Sequence, residues 1–216
     1  MSALQRIAYF QHRRDEVPNQ ELAHELVEAR DRKGIGEIAE NLWNENEQIQ
    51  SDCLKVLYEI GYLDPALVAD YVADFLKLLK SRNNRLVWGA MIALSTVAEL
   101  KAAEIYPHVE DIQQVMDTGS VITKDNGVKT LALVASKNDA YSKKIFPYLL
   151  KHLETCRPKD VPQHAEKTAV AVNVRNKTEF MAALEKRMVD LTNAQVARVK
   201  KVIKEVEKRS AGLRRN

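Results

Sequence analysis

Four short segments of this chain repeat one pattern at a near-constant period, and a chain built that way has few folds open to it. Aligning Cys53, Ala90, Gly127 and Ala165 gives steps of 37, 37 and 38 residues. Four positions after each lies Leu57, Leu94, Leu131 or Ala169, and seven after each lies Ile60, Val97, Val134 or Val172. A small residue thus opens each apolar i, i+4, i+7 row, which is one face of a helix. Upstream, Leu42, Leu79 and Met116 keep the same 37-residue step. Two helices per unit, stacked unit on unit, describe an all-α, right-handed superhelix, an α-solenoid of about five helix pairs with a capping helix or two at either end.

The rest of the chain fits that plan. Seven glycines and six prolines are few for 216 residues, and 45% apolar residues held in phase do not describe a disordered chain. Residues 1–33 read as N-terminal capping helices, with Ser2 and Gln5 spaced as a capping box for a helix over 3–10 and a helix after Pro18 closed by Gly34 and Gly36. Repeats follow over 34–63, 64–103, 104–140 and 141–176, then a shortened C-terminal repeat or cap over 177–209 and a basic tail over 210–216, all within a single domain. Pro65, Pro107 and Pro147 read as first-turn prolines, where the missing N–H is harmless and the preset φ helps. Thr178 and Asn193 are the expected caps of the last two helices.

Where small residue, leucine and aliphatic recur after an Asn- or Asp-bearing turn, the chain resembles the HEAT-repeat family. The best copy is Asn84-Arg85-Leu86-Val87-Trp88-Gly89-Ala90-Met91-Ile92-Ala93-Leu94-Ser95-Thr96-Val97-Ala98, and weaker copies cover 47–60, 120–135 and 161–174. Only Arg85 stands where the family often carries an Arg inside the second helix, and armadillo-type units share the remaining features. The resemblance implies a superhelix whose second helices line a concave face.

On such a face the residues one before and two after each small residue are expected to point out of the core. The later set is Lys55, Ile92, Lys129 and Lys167, a basic stripe broken by Ile92; the earlier set is Asp52, Gly89, Asn126 and His164. Trp88, beside Arg85 and Ile92, has the composition of an interface anchor. Arg85, Trp88, Ile92, Lys55, Lys129 and Lys167 are therefore the candidate partner-binding residues, the lysines suiting an acidic protein.

Charge is unevenly spread. From residue 198 to the end, eight Lys/Arg face two glutamates, a segment charge of +6 within a net +3, which leaves −3 on the body. Lys200, Lys201, Lys204, Lys208 and Arg209 are the candidate contacts to nucleic acid or an acidic partner, or the solvated coat of a terminal cap. The resemblance also admits an enzyme, since certain bacterial glycosylases for alkylated DNA bases use similar units with a basic, tryptophan-bearing groove; Trp88, Arg85, Lys129, Lys167 and Asp125 would carry it here. A body that is net negative outside its tail disfavours phosphate binding.

No phosphate loop, nucleophile elbow or paired catalytic carboxylate stands out, so no catalytic residue is assigned. Cys53 and Cys156, over 100 residues apart, form neither a disulfide framework nor a metal pattern, and His12, His24, His108, His152 and His164 read as scattered surface residues. No metal or cofactor is expected. With no 18-residue apolar run and no secretory core at the start, the expectation is a cytoplasmic, non-catalytic scaffold that binds a protein.

Overall fold

The computed structural model describes residues 2–212, with side chains to Arg209; residues 213–216 of the basic tail lie outside the described part. Twelve α-helices are present among the described residues, and no strand: α1 Val17–Glu28, α2 Arg32–Glu40, α3 Glu47–Leu63, α4 Val72–Leu78, α5 Asn84–Val97, α6 Ala102–Ile105, α7 Val109–Thr118, α8 Val121–Ala135, α9 Asp139–Thr155, α10 Val161–Thr168, α11 Lys177–Arg187 and α12 Asn193–Gly212. They form two compact units, Met1–Thr130 and Leu131–Asn216. Among the described residues no helix is long and apolar enough to cross a membrane.

In the first unit the period is visible in the turns as well as the core. Asn46 accepts a hydrogen bond from the N–H of Gln48 at 2.9 Å, and Asn83, 37 residues on, accepts from Arg85 N–H at the same distance. Ser120, 37 further, accepts from Thr123 N–H at 3.2 Å. Each side chain satisfies an N–H that has no carbonyl partner at a helix start, an effect of about 1 kcal/mol per cap. Asn83 also donates to Glu47 at 3.0 Å, tying one repeat's turn to the next.

The apolar rows are buried as the spacing requires. Cys53, Leu57, Ile60, Ala90, Leu94 and Val97 are fully buried, as are Leu42 and Met116 on the preceding helices. A Cβ on Gly127 would stand 2.5 Å from Met116 Sδ, so the small position lets α8 approach α7 closely.

Two N-terminal expectations are corrected. Only one 3-10 turn, Leu4–Arg6, forms where a helix over 3–10 was expected; Ser2 still accepts from Gln5 N–H at 3.4 Å. Gly34 and Gly36 lie inside α2 and do not close α1, which ends instead at Arg30 in the left-handed region (φ 47°). Asp31 caps α2 by accepting from Gly34 N–H at 2.9 Å, and a Cβ on Gly34 would meet Asp31 and Leu26. Gly34 is a close-approach residue.

The second unit departs further from the repeat. α9 is capped by Asn138, which accepts from Tyr141 N–H at 2.9 Å, so Pro147 sits mid-helix and not in a first turn. Its exposed position lets water reach the carbonyl its ring leaves unbonded. α10 is short, passes into a 3-10 turn at Ala169–Ala171, and leaves Val172 extended and only half-buried. Asp160 precedes α10 without capping it; its carboxylate accepts from Arg157 at 2.6 Å. α12 is capped by Thr192, not Asn193, through a reciprocal pair: Thr192 N–H donates to Gln195 Oε1 at 2.9 Å, and Thr192 Oγ1 accepts from Gln195 N–H at 3.5 Å. Asn176, not Thr178, precedes α11.

Candidate functional site

The expected partner-binding residues of the first unit fall on α3, α5 and α8, and the fold treats them differently. Lys55 is 7% exposed, with its ammonium 2.6 Å from Glu59 and 2.9 Å from Glu16. Burial alone disfavours that ammonium, but the bonds to Glu59 and Glu16 outweigh it and raise its pKa. Its charge is therefore used inside the protein. Ile92 is likewise in the core at 7% exposure. Neither belongs to the outward-facing row expected from spacing: in these two copies the position two after the small residue is buried, while Lys129 and Lys167 at the same position are half-buried.

Arg85 does reach solvent, its guanidinium 3.6 Å from Glu16. Trp88 is half-buried, with its ring centroid 6.5 Å from Tyr58. Tyr58 in turn meets Tyr62 edge-on at 6.2 Å, and Lys129 stands 5.8 Å above the exposed Tyr62 ring. An aromatic strip thus links Trp88 on α5 to the exposed Tyr62 on α3 through the buried Tyr58, with Arg85 at one end and Lys129 at the other. Burial lowers the pKa of Lys129, and no other cause enters. Burial pushes the Tyr58 phenol up to about 12, with Lys55 opposing, and raises that of Tyr62 as well. Both phenols remain hydrogen-bonding groups at neutral pH.

Tyr62 and Tyr58 were not among the candidates from sequence, although Tyr58 at i+3 and Tyr62 at i+7 of Lys55 place all three along one side of α3. Trp43 is 43% exposed, donates to Asp74 at 3.1 Å and carries Lys77 4.1 Å over its ring.

The row one before the small residue also turns inward. Asp52 accepts from Tyr9 N–H at 2.8 Å and from Asn19 Nδ2 at 3.0 Å, pinning the N-terminal segment to α3. Asn126 accepts from Ser95 Oγ at 3.3 Å, and Gly89 is buried. Between the N-terminal segment and the starts of α3 and α5 lies an open basin of about 1000 Å³, with Arg13, Arg14 and Arg85 facing Asp15, Glu16 and Asp52 on its wall. Its mixed charge presents no continuous basic track.

In the second unit the same row gives His164, and here the expectation of a surface histidine is corrected: it is 2% exposed. His164 Nδ1 lies 3.0 Å from His152 Nε2 on α9. One donor atom from each of His152, Cys156 and His164 lies within 4.8 Å of the other two. Burial raises the Cys156 thiol pKa, opposed by the Arg187 guanidinium. The signal was present in the chain: His152 and Cys156 are i, i+4, the histidine in the last turn of α9 and the cysteine ending it. Cys53, by contrast, is fully buried, and burial pushes its thiol up to about 12, helped by Asp52 and Glu37.

Lys167 is half-buried on α10, while Lys200, Lys201, Lys204, Lys208 and Arg209 are exposed on α12, opposite the buried Val199, Val202 and Val206. Arg198 is spent in a two-pronged pair with Glu166 at 2.7 and 3.0 Å.

The sequence matches no protein-family model and no curated protein. The fold does match solved structures. A designed armadillo repeat protein in complex with the peptide (KR)4 is similar at a TM-score of 0.69 and 15% identity, covering 87% of this chain and 86% of that one. An engineered protein aligns over 97% of this chain and 98% of its own, with a TM-score of 0.67 and 17% identity. A karyopherin bound to a SUMO protease is similar at 0.62 and 15% identity; the match takes in 93% of this chain and 22% of that longer one. The chain has the all-α fold of armadillo and HEAT repeat proteins.

Proposed function

We propose that the protein is a non-catalytic scaffold that captures a segment of a protein partner on the aromatic strip of its first unit. The observation that carries this reading is the strip itself: Trp88 and the exposed Tyr62 joined through Tyr58, with Arg85 and Lys129 beside them. Aromatics and Arg bring large contact area at low side-chain entropy and are enriched where binding energy concentrates. The fold is one in which similar proteins are seen bound to a peptide or to another protein, which agrees with this use.

The partner segment is expected to present an apolar side chain to Trp88 and Tyr62 and a carboxylate to Lys129, whose ammonium is partly stripped of water and gains from a paired anion. Arg85 supplies a second cation once Glu16 is outcompeted. A duplex-DNA groove fits this surface less well: Lys55 is neutralised by two glutamates, Arg85 is shared with one of them, and phosphate binding needs several uncommitted cations on one face.

The test is selection of peptides from a randomised display library on the immobilised full chain, followed by affinity measurements with Trp88→Ala, Tyr62→Ala and Lys129→Gln. Enriched peptides should pair an aliphatic or aromatic residue with Asp or Glu, and Trp88→Ala should weaken them about tenfold or more. Peptides indifferent to all three substitutions, or salt-sensitive capture of a short duplex DNA instead, would remove this reading.

A further inference from the structure

The strongest cluster of chemistry in the molecule lies away from that strip, where α9 meets α10. His152 lies in the last turn of α9, Cys156 is the residue that ends it, and His164 stands in the first turn of α10, with only a short loop and the 3-10 turn Pro158–Asp160 between. Two of their imidazole nitrogens stand 3.0 Å apart, and one donor atom from each of the three residues lies within 4.8 Å of the others, a convergent set of one sulfur and two nitrogens. We propose that His152, Cys156 and His164 form a binding site for a zinc-class divalent cation.

The donor set suits zinc in kind and in spacing. Zinc takes imidazole nitrogen at about 2.0–2.1 Å and thiolate sulfur at about 2.3 Å in a tetrahedron, which brings neighbouring donor atoms to roughly 3.3–3.6 Å of one another. The present separations are met by side-chain adjustments of about 1 Å. A mixed sulfur and imidazole set selects zinc over the oxygen-seeking calcium and magnesium. Three protein donors leave a fourth position, and since His152 and Cys156 are only half-buried, that position opens toward solvent.

The surroundings hold the donors in place. Arg187, 7% exposed, donates to the carbonyls of Leu153 at 2.6 Å and of Cys156 at 2.8 Å, fixing the last turn of α9. Its charge is balanced by Asp190 at 3.2 Å, so it orients Cys156 without leaving an uncompensated cation beside the metal. Tyr148 stacks on the His152 ring at 6.5 Å and an interplanar angle of 18°, restricting its rotation. His164 is locked by burial. Arg187 and Tyr148 are positioning residues and touch no metal.

Cobalt(II) titration of the full, reduced chain reads both stoichiometry and donors. One equivalent should bind with tetrahedral visible bands and a thiolate-to-cobalt charge-transfer band, and one equivalent of zinc should abolish both. Cys156→Ser should lose the charge-transfer band and His152→Gln should weaken binding at least tenfold, while Cys53→Ala, which places at that position the residue Ala90 and Ala165 already have, should change neither. Zinc should raise the melting temperature of the wild type and of Cys53→Ala but not of Cys156→Ser. Circular dichroism with chelator present checks that each variant is folded, and His152→Gln, at a half-exposed position, carries the test if Cys156→Ser does not fold. No charge-transfer band at one equivalent, or a band unchanged by Cys156→Ser or His152→Gln, overturns the proposal.

Discussion

The α4–α5 repeat and the α9–α10 repeat occupy equivalent places in the period and are built to different ends. In the first, Asn83 caps the second helix, Ala90, Leu94 and Val97 fill the core without a polar atom among their side chains, and the row one before the small residue is a glycine. In the second, the cap is missing, the second helix stops at Thr168, Val172 swings half out of the core, and the row one before the small residue buries a histidine against another histidine. Both regions bury polar side chains, but those of the regular repeats are met by a partner, Lys55 by Glu59 and Ser95 by Asn126. In the irregular one two imidazoles face each other and the Thr168 hydroxyl finds no partner among the described residues, and burying such groups without a return is unfavourable. The departure from pattern, more than the pattern, marks chemistry in this chain.

That contrast can be broken most forcefully in the apolar rows of the second and fourth copies. Leu94→Ala should destabilise by about 2–5 kcal/mol because its site is fully enclosed. Val172→Ala, in the half-buried tail of the fourth copy, should change stability by less than about 1 kcal/mol. Urea denaturation of both, with hydrogen exchange to locate the lost protection, checks the difference; comparable effects would mean that the fourth copy packs as tightly as the second.

Next in size is Arg187→Met. It strands the carbonyls of Leu153 and Cys156 and leaves Asp190 unpaired, so a loss of about 2–3 kcal/mol is expected, read as deprotected amides at the end of α9. Lys55→Met probes the regular region's own polar seam. It should cost about 1–2 kcal/mol at pH 7, less than a fully buried pair because Glu16 is substantially exposed. The pKa of Lys55 is raised in the folded protein, so its contribution is complete below the unfolded value of about 10.4 and fades as pH rises through the folded one. The stability gap between wild type and Lys55→Met should therefore be flat from pH 7 to 9 and narrow only in more alkaline solution. The smallest effect carries the opposite sign. Thr168 buries a hydroxyl that finds no hydrogen-bond partner among the described residues, so Thr168→Val should be neutral or stabilising by up to about 1 kcal/mol in thermal melts.

Much of the architecture was legible in the chain because helix periodicity and the 37-residue step are local, additive signals. The apolar rows, the Asn46 and Asn83 turns and the buried face of α12 all follow from them. The surface of the repeats was harder to read. Lys55 and Ile92 were expected outside and are inside, and Tyr62, which its spacing marks as a packing residue, is exposed, because whether a flanking position faces solvent or a neighbouring helix depends on how closely helices approach, and spacing within one helix carries no such information. His152 and Cys156 were visible as an i, i+4 pair, but their third member comes from another helix.

By itself, then, the sequence determined most of the helices and the main apolar rows of the core, since burying a periodic apolar face is the dominant favourable term and needs only the right period. The tertiary structure alone decided which charged and polar side chains turn inward: Lys55 to Glu16 and Glu59, Asp52 to the N-terminal segment, His164 to His152. Those choices rest on partners far apart in the chain, and a polar group's energy is set by the partner it meets rather than by its own place in the pattern.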